Sequence, residues 1–212
     1  MYPLLIVTGP TGSGKSSLAI HLARRFSGEI VNCDSLQLYR GLNIGTAKTP
    51  PAERHNVAHH LFDVLDPAEV PSAGDYARLA RPVLAEISSR AKLPIVAGGT
   101  GFYLRALLDG LPVLPPRDEA LRERLTRRPA AKLHRILARL EPATAARIHP
   151  SDLQKLIRAL EIRLLTRKAL PPSSDASPLS GYRVLQLGLD PPREALTQAI
   201  AQRTRAMFAA GL

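Results

Sequence analysis

The chain has 212 residues, 45% of them hydrophobic and 22% charged. That composition excludes general disorder and is enough for one domain with a sizeable core. Lys and Arg number 29 against 18 Asp and Glu, a net charge of +11 that points to a polyanionic partner or a strongly anionic ligand. One cysteine, Cys33, excludes an internal disulfide, and no apolar run is long enough to cross a bilayer.

The first element is a strand. Leu4 to Val7 is a short continuous apolar run, as in parallel strands covered on both faces, and it enters a glycine-rich turn and a helix through Phe26. Because the strand begins almost at Met1, no signal peptide is expected and the protein is read as cytoplasmic. Glu29 to Cys33 predicts a second strand ending at Asp34, and Leu61 to Val64 a third. Ser72 and Asp75 have capping-box spacing and open a helix to about Arg90, and Pro94 to Ala97 is a further buried-type strand. Asp118 to Arg128, Ala130 to Leu140 and Asp152 to Leu165 read as helices. In the last, Leu153, Leu156, Ile157, Leu160 and Leu164 form one apolar stripe, with Lys155 and Arg158 on another face. Tyr182 to Leu189 predicts a returning strand and Arg193 to Ala210 a final helix. Strands alternating with helices imply an α/β fold with a parallel sheet.

The charge is unevenly spread. Residues 1–110 carry 11 basic and 9 acidic groups, 111–170 carry 14 and 6, and 171–212 carry 4 and 3. Pro112, Pro115 and Pro116 precede the basic third, and Pro171 and Pro172 follow it, opening a serine-rich stretch to Gly181. The expected organisation is an α/β core over 1–115, an inserted basic helical subdomain over 116–170, and a return to the core over 171–212.

The strongest motif is Gly9-Pro10-Thr11-Gly12-Ser13-Gly14-Lys15-Ser16, the pattern G-x-x-x-x-G-K-[ST] between a strand and a helix. Glycines let successive N–H groups wrap a phosphate, the helix N-terminus and Lys15 add positive charge, and Ser16 is placed to ligate Mg²⁺. The motif implies a P-loop NTPase-like core and diphosphate or polyphosphate binding, not ATP hydrolysis as such. The Asn-Lys-x-Asp base-reading motif of GTPases is missing. Asp34, at the C-terminal end of its strand, points toward the ligand crevice of such a sheet and suits either a base or a metal-water ligand; a turn cap is the competing reading.

Six blocks then occur in order: the P-loop; Asp34-Ser35-Leu36-Gln37-Leu38-Tyr39-Arg40; Asn43-Ile44-Gly45-Thr46-Ala47-Lys48; His59-His60-Leu61-Phe62-Asp63; Gly98-Gly99-Thr100-Gly101-Phe102-Tyr103; and Arg158-Ala159-Leu160-Glu161. Together they resemble the tRNA dimethylallyltransferases, the bacterial tRNA isopentenyltransferases of the IPP transferase family. The resemblance implies transfer of a dimethylallyl group from its diphosphate to N6 of the adenosine 3′ of the anticodon, with release of diphosphate and Mg²⁺ as the metal. It further implies Asp34 as base, Thr11 beside the leaving oxygen and Arg203 on the diphosphate. Contacts to the tRNA anticodon loop are implied for Asp34, Ser35, Leu36, Gln37, Thr100, Arg122, Gln154, Lys155, Leu156, Ile157 and Arg158. A monomer is expected. Family members continue beyond Leu212, so the chain reads as a member lacking its end.

Two other readings remain open. One is a small-molecule enzyme, either an adenylate isopentenyltransferase or a nucleotide or metabolite kinase; it needs no basic insertion. The other is a non-catalytic RNA-binding module. His59 and His60 are adjacent and would face opposite ways on a strand, which argues against joint metal binding. Cys33 reads as a buried strand residue, and Tyr103 suits either ligand or core.

Overall fold

Strand β1 (Tyr2–Thr8) buries Leu4, Leu5, Ile6 and Val7, as a strand covered on both faces must. Alternation sends Leu5 and Val7 into a cluster with Ala19, Ile20 and Ala23 of α1 (Lys15–Arg25), leaving Leu4 and Ile6 for the opposite layer. The structure, a computed structural model, describes residues 1–112, 114–168 and 177–212. β2 (Gly28–Asn32) follows, then β3 (His59–His60). The third strand is therefore only two residues long and stops where Leu61 to Val64 was expected to begin. Leu61 (φ 61°) and Asp63 (φ 58°) adopt left-handed backbone, which a strand cannot propagate.

Helix α2 (Ala73–Ser89) is capped by both capping-box bonds between Ser72 and Asp75. β4 (Leu93–Ala97) and α3 (Gly101–Leu108) follow; α3, which the sequence reading missed, buries Tyr103, Leu104, Ala106 and Leu107. Four helices come next among the described residues: α4 (Glu119–Thr126), α5 (Ala130–Leu140), the short α6 (Pro142–Ala145) and α7 (Leu153–Thr166). Strand β5 (Tyr182–Gly188) pairs in parallel along the whole of β1, and α8 (Arg193–Ala209) ends the chain with no buried residue.

The sheet order is β3-β2-β4-β1-β5, with every pair parallel. β1 lies between β4 and β5, so the chain leaves it in one direction and returns on the other side, and the crevice at the strands' C-terminal ends opens there. Contacts divide the chain into two units, Met1–Gly110 with Pro178–Leu212, and Leu111–Ser177. The second has its own core of Leu125, Leu133, Leu137, Leu156, Ile157 and Leu160. Of the proline and serine boundary anticipated from Pro171 onward, residues 171–176 lie outside the described residues. No helix among the described residues is long and apolar enough to cross a membrane.

Candidate diphosphate and base site

The glycine turn folds back on itself: the Ser13 N–H donates to the Pro10 carbonyl at 3.2 Å, and Gly14 caps α1 from the left-handed region (φ 84°). At Gly9 (φ 152°) a Cβ would stand 2.6 Å from the Leu189 carbonyl and 2.9 Å from Ser13 Oγ, so only glycine lets the loop lie this close to the end of β5. Two buried polar atoms in this region have no hydrogen-bond partner among the described residues, Ser13 Oγ and Arg203 Nε. Buried donors left unsatisfied are costly, and an anion in the loop would satisfy both kinds. Thr11 and Ser16 are exposed.

Lys15 lies under the β4–α3 turn and donates from Nζ to the Pro10 carbonyl at 2.7 Å. Burial pulls its pKa below the usual lysine value; the Asp34 carboxylate partly restores it and Arg203 lowers it again. Asp34 and Arg203 each lie within electrostatic reach of Lys15, although the three are far apart in sequence.

Asp34 leaves the end of β2 in a turn that holds its backbone N–H and carbonyl. Its Oδ1 accepts from the Leu36 N–H at 2.9 Å, and no other donor among the described residues reaches the carboxylate, so Oδ2 is free to take a proton. The Ser35 N–H donates to Thr100 Oγ1 at 3.1 Å, and the Thr100 N–H to the Cys33 carbonyl at 3.2 Å. A Cβ on Gly98 would overlap the Cys33 carbonyl, which is why the β4–α3 turn can approach the base only with glycine there. The turn anticipated at Asp34 therefore occupies one carboxylate oxygen and leaves the other without a donor among the described residues. A cavity of about 650 Å³ opens beside this point, lined by Thr8, Gly9, Pro10, Gly98, Thr100, Arg105 and Gln186 among others. Arg105 and Gln186 carried no motif; Gln186 sits on the anticipated β5, and Arg105 on α3, which the sequence left unread. A second, more apolar cavity of about 500 Å³ is lined by Ile44, Lys48, Arg203 and Met207 among others.

A family model described as IPP transferase matches residues 37–212, and one described as isopentenyl transferase matches residues 2–63. The chain belongs to the IPP transferase family. It is 56% identical to the tRNA dimethylallyltransferase of Koribacter versatilis and 55% identical to that of Solibacter usitatus, in each case over 99% of this chain and 70% of the relative. The full-length tRNA isopentenylpyrophosphate transferase of Bacillus halodurans superposes with a TM-score of 0.68 at 36% identity, covering 100% of this chain and 67% of that one. A eukaryotic dimethylallyltransferase described as acting on tRNA matches with a TM-score of 0.85 at 29% identity, covering 100% of this chain and 54% of the other.

The remaining residues that the family resemblance singled out have varied surroundings in this IPP transferase. Gln37 is tied inward, donating from Nε2 to the Thr46 carbonyl at 2.9 Å, and Leu36 is exposed. In the second unit, Gln154 and Lys155 are exposed, with Lys155 2.8 Å from Asp152. Leu156 and Ile157, also expected at the RNA, have side chains buried in the core of that unit, where they pack. Arg158 and Arg122 are also engaged, since both face the fully buried Glu161 carboxylate, at 2.6 and 4.0 Å, and the Asp118 N–H donates to it at 2.8 Å. A buried carboxylate requires such partners, so these arginines stitch α7 to the start of α4.

The smaller uncertainties resolve structurally. His60 pairs with Glu29 at 2.7 Å, His59 stacks on Phe62, and among the described residues no cluster of three His, Cys, Asp or Glu could hold a metal ion. Tyr103 is buried and stacked on Tyr76 with ring centroids 4.6 Å apart, so it belongs to the core. Burial pushes the Cys33 thiol up to about 11, so it is no nucleophile at neutral pH.

Proposed function

We propose that this IPP transferase moves a dimethylallyl group from dimethylallyl diphosphate to N6 of adenosine 37, the base 3′ of the tRNA anticodon, and releases diphosphate. The observation that carries the reading is the electrostatic grouping of the Asp34 carboxylate with Lys15 and Arg203, a base set beside an anion cradle. The relatives' shared name, tRNA dimethylallyltransferase, supports the substrate pair.

The adenine N6 lone pair is delocalised into the ring, so its attack on the allylic carbon is helped by a carboxylate that takes the N6 proton as the new bond forms. Asp34 Oδ2 has that role, while Oδ1 remains held by the Leu36 amide. As the carbon–oxygen bond breaks, the electron pair leaves with the diphosphate. Loop N–H groups, Ser13 Oγ, Lys15 and Arg203 receive that charge, and Thr11 stands beside the bridging oxygen. A Mg²⁺ ion would be held by Ser16 and the diphosphate's own oxygens, a donor set that suits a hard ion bound mainly through substrate phosphates. It would supply further neutralisation of the leaving group. The anticodon-loop base must be extruded to reach the pocket, with Ser35, Leu36, Gln37 and Thr100 around it. Phosphate contacts fall to Gln154, Lys155 and the cations that Glu161 leaves free. With tRNA as the substrate, the same reading includes a cytoplasmic location.

The test supplies dimethylallyl diphosphate and Mg²⁺ with unmodified tRNA, with free AMP, or with ATP and metabolite acceptors. The expected product is tRNA bearing one added dimethylallyl group at a single adenosine. Prenylated AMP with untouched tRNA would favour the adenylate isopentenyltransferase reading, and phosphorylated metabolite a kinase.

A further inference from the structure

Between β2 and the turn that carries Asp34, each backbone polar group can be followed to its partner. The Cys33 N–H continues the ladder to the Ala97 carbonyl at 2.8 Å, and the Cys33 carbonyl receives the Thr100 N–H. Both polar groups of Asp34's own backbone, however, are held by one side chain. Asn32 Oδ1 accepts from the Asp34 N–H at 3.0 Å, and Asn32 Nδ2 donates to the Asp34 carbonyl at 3.1 Å. The same Nδ2 donates to the Leu61 carbonyl at 3.1 Å, in the turn after β3. Asn32 is itself fixed: it is only 2% exposed, and its carbonyl receives the hydroxyl of the fully buried Tyr76 at 2.9 Å.

We propose that Asn32 is a positioning residue for transfer, holding the Asp34 backbone on both sides so that its carboxylate keeps a single aim. This rests on the reading of Asp34 as the base. The two residues form consecutive Asx turns, Asn32 accepting from residue 34 and Asp34 accepting from residue 36. The first turn fixes the Asp34 amide and the second fixes one carboxylate oxygen, so the other oxygen has one place to be. A strand end without Asn32 would leave a base whose backbone rotates, and small misplacements of a reacting group cost about 10²-fold in rate. Asparagine suits this position because it offers an acceptor and a donor on one planar group; aspartate offers acceptors only and would face the Asp34 and Leu61 carbonyls.

The test compares Asn32→Ala, Asn32→Asp and Asn32→Ser, with rates expressed per folded molecule. Loss of about 10²-fold in kcat is expected for Asn32→Ala and Asn32→Asp, with KM for both substrates within about threefold. Asn32→Ser, whose hydroxyl can still accept from the Asp34 N–H as an ST turn, recovers most of the rate. The decisive readout is coupling. In an Asp34→Ala background Asn32→Ala has no further effect on residual transfer, whereas a purely structural role gives additive losses and overturns the proposal. Full turnover by Asp34→Ala alone would instead remove the base reading. Independently of activity, amide hydrogen exchange at Asp34 accelerates in Asn32→Ala while the β1 and β4 amides keep their protection; unchanged exchange at Asp34 overturns the proposal.

Discussion

Substitutions at Asp34 and Lys15 separate transfer from diphosphate binding. Asp34→Asn removes the proton acceptor but keeps an Oδ1 for the Leu36 amide, so the turn survives. Transfer is expected to fall by about 10²–10⁴-fold while dimethylallyl diphosphate binds as before by calorimetry. Lys15 differs, because burial and Arg203 outweigh the help of Asp34 and depress its pKa. A depressed folded pKa means that the unfolded chain binds the proton more strongly, so the charge opposes folding at neutral pH. That cost disappears only as pH rises through the folded value toward the unfolded one. Lys15→Met is therefore expected to raise the Tm of the free protein and to weaken dimethylallyl diphosphate binding by about 10–100-fold. A lower Tm with unchanged affinity would contradict both halves. The glycine loop and Asp34 were legible in the sequence because backbone wrapping and strand-end position are local properties. The roles of Asn32 and Tyr76 were not, since Asn32 also reaches the Leu61 carbonyl and receives the Tyr76 hydroxyl, partners dozens of residues away.

Among the elements, those with strong periodicity or caps were readable. Helix α5 fell on its expected residues, Ala130–Leu140, and the Ser72 capping box set the start of α2. The short α6 and α3 escaped and β3 was displaced, because two to eight residues carry too little periodicity to separate helix, strand and turn. The ion pairing inside the basic unit was not legible either: Arg122 and Arg158, expected at the RNA, both face Glu161. Arg158→Ala should thus lower stability by about 3 kcal/mol, near the low end for a broken buried pair because Arg122 stays within 4.0 Å. Among the described residues, the cations without a carboxylate partner include Lys132, Arg135 and Arg139, all exposed and all on the face of α5 opposite the buried Leu133 and Leu137. Replacing those three with alanine should leave the thermal unfolding curve unchanged. It should also weaken tRNA binding and reduce the slope of log affinity against log salt by about two units. An unchanged slope would mean that the stripe is only a solvated surface.

At the scale of the whole molecule, the +11 charge divides into +4 on the α/β unit and +7 on the smaller helical unit. The α/β unit is assembled from two stretches of chain, so its stability depends on ties between distant segments as well as on the sheet. One such tie is Glu29 of β2, almost fully buried, which pairs with His60 of β3 and makes two hydrogen bonds, at 2.7 and 3.0 Å, to Arg90 at the end of α2. Burial alone would push the Glu29 carboxyl up, but the hydrogen bonds and charges of Arg90 and His60 outweigh it and hold the carboxyl below the usual carboxylate range. A depressed folded value gives stabilisation that is present above the unfolded pKa, about 4.3, and is lost as pH falls through the folded value. Arg90→Ala removes the main opposing partner and lets burial raise the carboxyl. The acid-unfolding midpoint followed by circular dichroism is then expected to move to higher pH. In a Glu29→Gln background the same arginine substitution should shift the midpoint no further, since no charge remains at residue 29 to titrate. An equal shift in both backgrounds would place the effect of Arg90 elsewhere, at its weaker contact with Glu86.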